Sequence, residues 1–186
     1  MSWNIDAAHS HIQFSVRHMM VSRVRGQFDS WTGTVNVDED NPENSSVTIQ
    51  IDANSINTRE KDRDAHLRSA DFLDAENHPH LTFESTDVEK IDDKRYKVTG
   101  DLTIRGVTHP VTLDVVHEGT VKSPLGPYQT AGFNAETKIN RKKWGLEWNA
   151  PIETGGVVVG EEVQISIELE LMQEIEETSA EAVAAG

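Results

Sequence analysis

Between Val163 and Leu171 the chain alternates without a break: Val163, Ile165, Ile167, Leu169 and Leu171 are separated by Gln164, Ser166, Glu168 and Glu170. Strict period two gives one dry face and one wet face, the pattern of an antiparallel strand laid over a core. Shorter versions recur at Ile12, Phe14, Val16; at Val47, Ile49, Ile51, Ala53; at Leu81, Phe83, Ser85; at Val98, Gly100, Leu102, Ile104; and at Val111, Leu113, Val115. Together with the turn signals between them, they predict eight strands, near 10–18, 27–37, 46–53, 80–88, 95–104, 107–118, 129–139 and 160–172. The punctuation is EDNPENSS at 39–46, IDDK at 91–94, Gly106, and KSPLGP at 122–127.

One stretch breaks the pattern. TREKDRDAHLRSADFLD, 58–74, has charges at helical spacing, Glu60 with Arg63 and Asp64 with Arg68, and places Leu67, Ala70 and Leu73 on one side beside Phe72. Ser69 has the character of an N-cap, which predicts one or two short helices between the third and fourth strands, two in preference to one long one. Mostly antiparallel strands with this small excursion predict an all-β fold, an up-and-down eight-stranded barrel or a sandwich. A barrel of eight strands is just wide enough for its own side chains or for one small ligand. Ala53, Gly100, Ala131 and Ala135 share a face with large apolar residues. Such small residues either leave room for a ligand or fit the taper of a packed barrel, and parity leaves both open.

Composition narrows the function. The 186 residues make one domain at 1–172 and an acidic tail at 173–186, expected to be disordered because it offers little apolar surface. A net charge of −15 argues against a nucleic-acid partner, since phosphates would be repelled. The absence of cysteine removes disulfides and thiolate chemistry. MSWNIDAAHS lacks the basic and apolar regions of a signal peptide and no apolar run approaches a membrane span, so a cytoplasmic protein is expected.

Three segments carry candidate chemistry. His9 and His11 share a strand face, a spacing at which two imidazoles can hold one metal, with Asp6 as the nearest acidic third ligand. His18 has the parity of Ile12, Phe14 and Val16, which turns it inward as a core histidine or a donor to a ligand's polar end. RDAHL at 63–67 has no Ser or Cys nucleophile beside it and reads as structural, with Asp64 bridged to Arg68, Arg17 or Arg25. Trp144, Leu146 and Trp148 follow Arg141, Lys142 and Lys143 in a long loop. That loop either folds onto the wall or forms a lid whose indoles meet lipid and whose cations meet an anionic head or a membrane surface.

The chain resembles the YceI-like family through WNIDAAHSHIQFSVRHMMVSRVRGQF at 3–28, RDAHLRSADFLD at 63–74, HPHLTFES at 78–85, VTGDLTIRGVTHPVTL at 98–113, INRKKWGLEWN at 139–149 and GEEVQISIELEL at 160–171. The resemblance implies a lipocalin-like extended barrel whose tunnel takes a long polyisoprenoid-type lipid, such as an isoprenoid quinone or a polyprenyl phosphate. The resulting expectation is carriage or sequestration with no chemistry and no cofactor; the resemblance allows a homodimer, and the Trp144 loop allows a transient membrane contact. On that reading Phe14, Val16, His18, Phe28, Phe83, Leu102, Ile104, Phe133 and Ile139 face the ligand. Phe72 and Trp144 stand near the mouth, and Arg17 and Arg141 steer the head. The rival is a metal-assisted hydrolase or isomerase of a small apolar substrate, working through His9 and His11.

Overall fold

A computed structural model describes residues 2–153 and 155–176. The closing strand is longer than its alternation alone requires: β11, Val159–Glu174, runs two residues beyond the expected domain end. The expectation of a disordered tail concerns mainly 177–186, which lie outside the described residues. β11 is the spine of an antiparallel sheet of eleven strands. The others are β1 (Asn4–Ile5), β2 (His11–His18), β3 (Ser22–Phe28), β4 (Trp31–Asn36), β5 (Ser46–Asp52), β6 (Ile56–Asn57), β7 (His80–Lys90), β8 (Arg95–Ile104), β9 (Val107–Lys122) and β10 (Tyr128–Asn140). Their order is β4-β5-β7-β8-β9-β10-β11-β2-β3-β6, with β1 also on β11. The sheet curls until β1 meets β4: Gly33 leaves room for the side chains of Ile5 and Ile49, and Trp3 Nε1 donates to Glu39 Oε1 at 2.8 Å.

The all-β, lipocalin-like reading holds, with eleven strands in place of eight. Two differences have physical causes. The strand expected at 27–37 breaks at Asp29-Ser30, where Asp29 N donates to Ser55 O and Ser30 O accepts from Asp52 N. Its halves part to opposite ends of the sheet, β3 beside β2 and β4 beside β5. The first half of β3, SRVRG, was not expected because Val24 is its only large apolar residue. Its other inward position, Gly26, is occupied by the ring of Phe14, against which any Cβ would collide. Gly100 receives the ring of Phe83 in the same way.

The helical segment holds one α-helix, α1, Lys61–Arg68. Glu60 is its N-cap, accepting from Asp62 N at 3.3 Å and Arg63 N at 2.7 Å. Ser69 ends the helix instead of starting a second: its N–H and its hydroxyl both donate to His66 O. The expected ion pairs of Glu60 with Arg63, and of Asp64 with Arg68, Arg17 or Arg25, do not form among the described residues. Asp64 is buried and accepts from Thr58 N at 2.8 Å and Thr58 Oγ1 at 2.5 Å, while Arg63 donates to the same threonine. Turns at 69–77 follow, pinned by Arg105 Nη1 on Ala70 O at 2.6 Å and on Phe72 O at 2.9 Å.

Candidate functional site: an apolar tube through the barrel

The inner face of the curled sheet encloses a cavity of about 660 Å³. β10 measures its length, because Gln129, Ala131, Phe133, Ala135, Thr137, Ile139 and then Arg141 line it at every second residue. Twelve residue steps of strand span roughly 40 Å. Spread over that length, 660 Å³ gives a mean cross-section of roughly 16 Å², room for one slim chain. At roughly 30 Å³ per water-sized group in a liquid, the volume takes about twenty carbon atoms.

Of the residues expected to face a ligand, Phe14, Val16, Phe28, Phe72, Phe83, Leu102, Ile104, Phe133 and Ile139 line this cavity, and so does Arg141. His18, Arg17 and Trp144 do not. His18 sits at the last pair of β2, opposite Val159 and Ser22, past the lined stretch that ends at Val16. Arg17 has the opposite parity and is exposed. Trp144 is buried at 2 % exposure behind the wall, its Nε1 donating to Leu102 O at 2.9 Å and its ring edge-on to His109 at 5.1 Å. Its indole is therefore unavailable to a membrane, and the expected lid is divided. Leu146 lines the cavity, whereas Trp148 does not and instead packs its ring against His66 of α1 and Phe72 at 4.5 and 5.6 Å. Ala131 and Ala135 line the cavity, whereas Ala53 and Gly100 are buried off it. The sequence reading missed Trp3 and the dry face of β11, Val163 to Leu171, which line the tube by the same alternation that identified the strand.

The two ends differ in charge. At one, Trp3, Val37, Asp38, Glu39 and Pro42 line the opening. Asp38 braces that loop by accepting from Asn41 N, Asp40 N and Asn44 Nδ2 at 2.8, 3.1 and 3.3 Å. The Asn41 amide, then the Asn44 side chain, holds the Asp38 carboxyl below its usual range. At the other end lies Arg141, 4 % exposed. It donates to Gly160 O, Leu146 O and Val159 O at 2.8, 2.5 and 3.2 Å, and its guanidinium carbon stands 5.8 Å from the Phe72 ring centroid. Its immediate partners are carbonyls. Burial pulls the guanidinium below its usual pKa, and the more distant Glu161 partly offsets this. Three of its five N–H donors are accounted for by these bonds.

His9 and His11 do not come together as a metal pair. His9 ends a 3-10 helix, Ala7–His9, with Nδ1 at 2.8 Å from Asp6 Oδ2 and 4.0 Å from Glu170 Oε1, while His11 stands on β2 opposite Glu168. The group of potential metal donors around His9 is Asp6, His9 and Glu170, on the outside of the barrel. Among the described residues, no helix is long and apolar enough to cross a membrane.

A curled antiparallel sheet around a long apolar tube defines a lipocalin-like extended barrel. The chain belongs to the YceI-like family, whose domain model matches residues 3–171. A UPF0312 protein of Staphylococcus epidermidis is 38% identical over 168 residues, covering 90% of this chain and 95% of its own. Among solved structures, Burkholderia cenocepacia BcnA aligns at a TM-score of 0.76 and 26% identity, over 90% of this chain and 99% of that one. A polyisoprenoid binding domain from Saccharophagus degradans, implicated in plant cell wall breakdown, shares the fold at a TM-score of 0.65 and 18% identity, over 95% and 99% of the two chains.

Proposed function

We propose that the protein binds and carries a long-chain isoprenoid lipid, a quinone or a polyprenyl phosphate, with the hydrocarbon along the tube and an oxygen of the head at Arg141. The protein performs no chemistry on it. The observation that carries this reading is the tube itself, long, one chain wide and walled by apolar side chains. Burial gives roughly 0.8 kcal/mol per CH₂, against association costs of about 4–15 kcal/mol. About ten carbons barely break even, whereas the twenty or so that the tube holds leave a clear surplus. The site therefore selects length first and head second. A buried cation bonded to neutral carbonyls favours a head with an electronegative oxygen over a bare hydrocarbon. The polyisoprenoid binding description of the S. degradans fold neighbour supports the same ligand class.

Extraction of purified protein followed by mass spectrometry, and loading with a polyprenol, its phosphate and a quinone of equal chain length, tests the reading. The expected result is one bound chain, with the phosphate or quinone held more tightly than the alcohol. Failure to find or load any long apolar chain overturns it.

A further inference from the structure

Burial of Trp144 removes its indole as a surface contact, and the exposed apolar residues lie elsewhere. β2 and β3 are joined by Met19, Met20 and Val21, which are 40%, 54% and 82% exposed. Three consecutive apolar side chains at a hairpin tip contribute little to the core. Met19 and Met20 also adopt φ of 54° and 64°, a backbone conformation that hairpin turns normally assign to Asn-Gly. Folding alone would select smaller, polar residues there.

Behind the tip stand Arg17, Arg23 and Arg25, all exposed. Arg23 donates to Ser15 Oγ, and none of the three makes an ion pair among the described residues. The chain has 32 acidic and 17 basic residues, yet 7–28 contains no Asp or Glu. The nearest acids on β11 are engaged elsewhere, Glu161 with Lys142 at 2.8 Å and Glu162 with Lys138 at 3.9 Å. Glu153 is the one acid in the adjoining loop, 150–158, where Gly156 approaches Met20. The tip continues the cavity wall: Met19 N donates to Val158 O, and the next residue, Val159, lines the cavity and accepts from Arg141. The opposite end carries Asp38, Glu39, Asp40 and Glu43 and would be repelled by anionic lipid.

We propose that the β2–β3 hairpin docks on an anionic bilayer surface. Met19, Met20 and Val21 enter the interface, and the three arginines meet lipid phosphates, setting the Arg141 end of the barrel toward the membrane. The inference rests on the lipid-carrier reading for its purpose but not for its test, because vesicle binding needs no filled cavity. The net charge of −15 does not forbid it, since screening within about 8 Å at physiological salt leaves the local charges in control.

The test is co-sedimentation of the full chain with vesicles of phosphatidylcholine alone and of phosphatidylcholine mixed with phosphatidylglycerol. Binding is expected only to the mixed vesicles and is expected to weaken with salt. At about five-fold per arginine, R17Q/R23Q/R25Q lowers partitioning roughly 100-fold. M20S/V21S lowers it by more than about ten-fold, since it removes the inserted apolar surface. Both variants should keep the parent melting temperature and the melting shift given by farnesol, which reports the cavity separately. Absence of wild-type binding to anionic vesicles, or equal binding by all variants, overturns the proposal while the farnesol arm judges the cavity independently. Self-association that M20S/V21S abolishes, without vesicle binding, overturns it in favour of a protein interface.

Discussion

Ala135 of β10 sits midway along the tube, six residues from Gln129 and six from Arg141 just past the strand, paired with Val115 and Ile167 on the flanking strands. Replacing it with phenylalanine puts a ring across a passage whose mean section, volume over length, is roughly 16 Å². A chain of about twenty carbons then loses about half its buried length, worth up to about 8 kcal/mol at 0.8 kcal/mol per CH₂. Even a third of that is a loss of about 100-fold in affinity. The assay is thermal unfolding with and without a twenty-carbon isoprenoid. At a ligand concentration of about 100 Kd the wild type gains about 2.7 kcal/mol, which for a domain of this size is a shift of about 5–11 °C. Ala135→Phe should show almost none of that shift, while its response to a ten-carbon isoprenoid changes little. The unliganded variant should melt at or above the wild-type temperature, because the ring enters empty space. In a solid centre the same substitution would cost about 1–3 kcal/mol by overpacking. An undiminished twenty-carbon shift, or a markedly destabilised variant, refutes the tube.

Three further outcomes follow from particular contacts. Arg141→Met takes the guanidinium donors from the carbonyls of Leu146 and Gly160, while Val159 O keeps its bond from Asn149 Nδ2, and should cost about 2–4 kcal/mol in denaturant unfolding, with Arg141→Lys recovering only part of it. Gly100→Ala sets a methyl against Phe83 Cζ and 2.6 Å from Glu84 O, and should lower stability by about 1–3 kcal/mol in the same measurement. His9 should titrate above its ordinary 6.5, chiefly through the hydrogen bond to Asp6, with the charges of Asp6 and Glu170 adding. Its contribution to stability is complete below 6.5 and fades as pH rises through the raised value. Asp6, held below its ordinary 3.8 chiefly by the His9 bond, loses its own contribution as pH falls through the lowered value. In Asp6→Asn, NMR titration should find His9 lowered toward its ordinary range, and its share of the stability slope above pH 6.5 reduced to what Glu170 leaves.

The strand pattern was legible wherever a wall residue alternates with a solvent residue, as in β11, β8 and β10, because burial of one sheet face writes itself into the sequence with period two. It failed at β3, where the inward sites are Gly26 and Val24 and the missing volume comes from Phe14 on the neighbouring strand. It failed again at Asp29-Ser30, where a corner interrupts pairing and shifts the inward parity by one, a three-residue step from Phe28 to Trp31 with no Gly or Pro between them to mark it. At the site, parity placed the phenylalanines and aliphatics in the tube. It could not distinguish Trp144 from Trp148, since what separates them is a bond to Leu102 on a distant strand. Ser69 looked like a helix start because a hydroxyl that can cap an N-terminus can also bond the last turn, as it does here on His66. Arg141 was visible as a basic residue beside aromatics, but its burial depends on carbonyls eighteen and nineteen positions away.

Gly26 and Gly100 do not line the bore, yet each provides the berth in which a phenylalanine ring lies flat along the wall, Phe14 in one case and Phe83 in the other. Give either position a side chain and the ring loses its berth, with the open lumen as the direction left to it. The calibre of the barrel is thus set from residues that do not line it. A relative that exchanges these glycines for bulkier residues should accept thinner molecules while keeping the same lining.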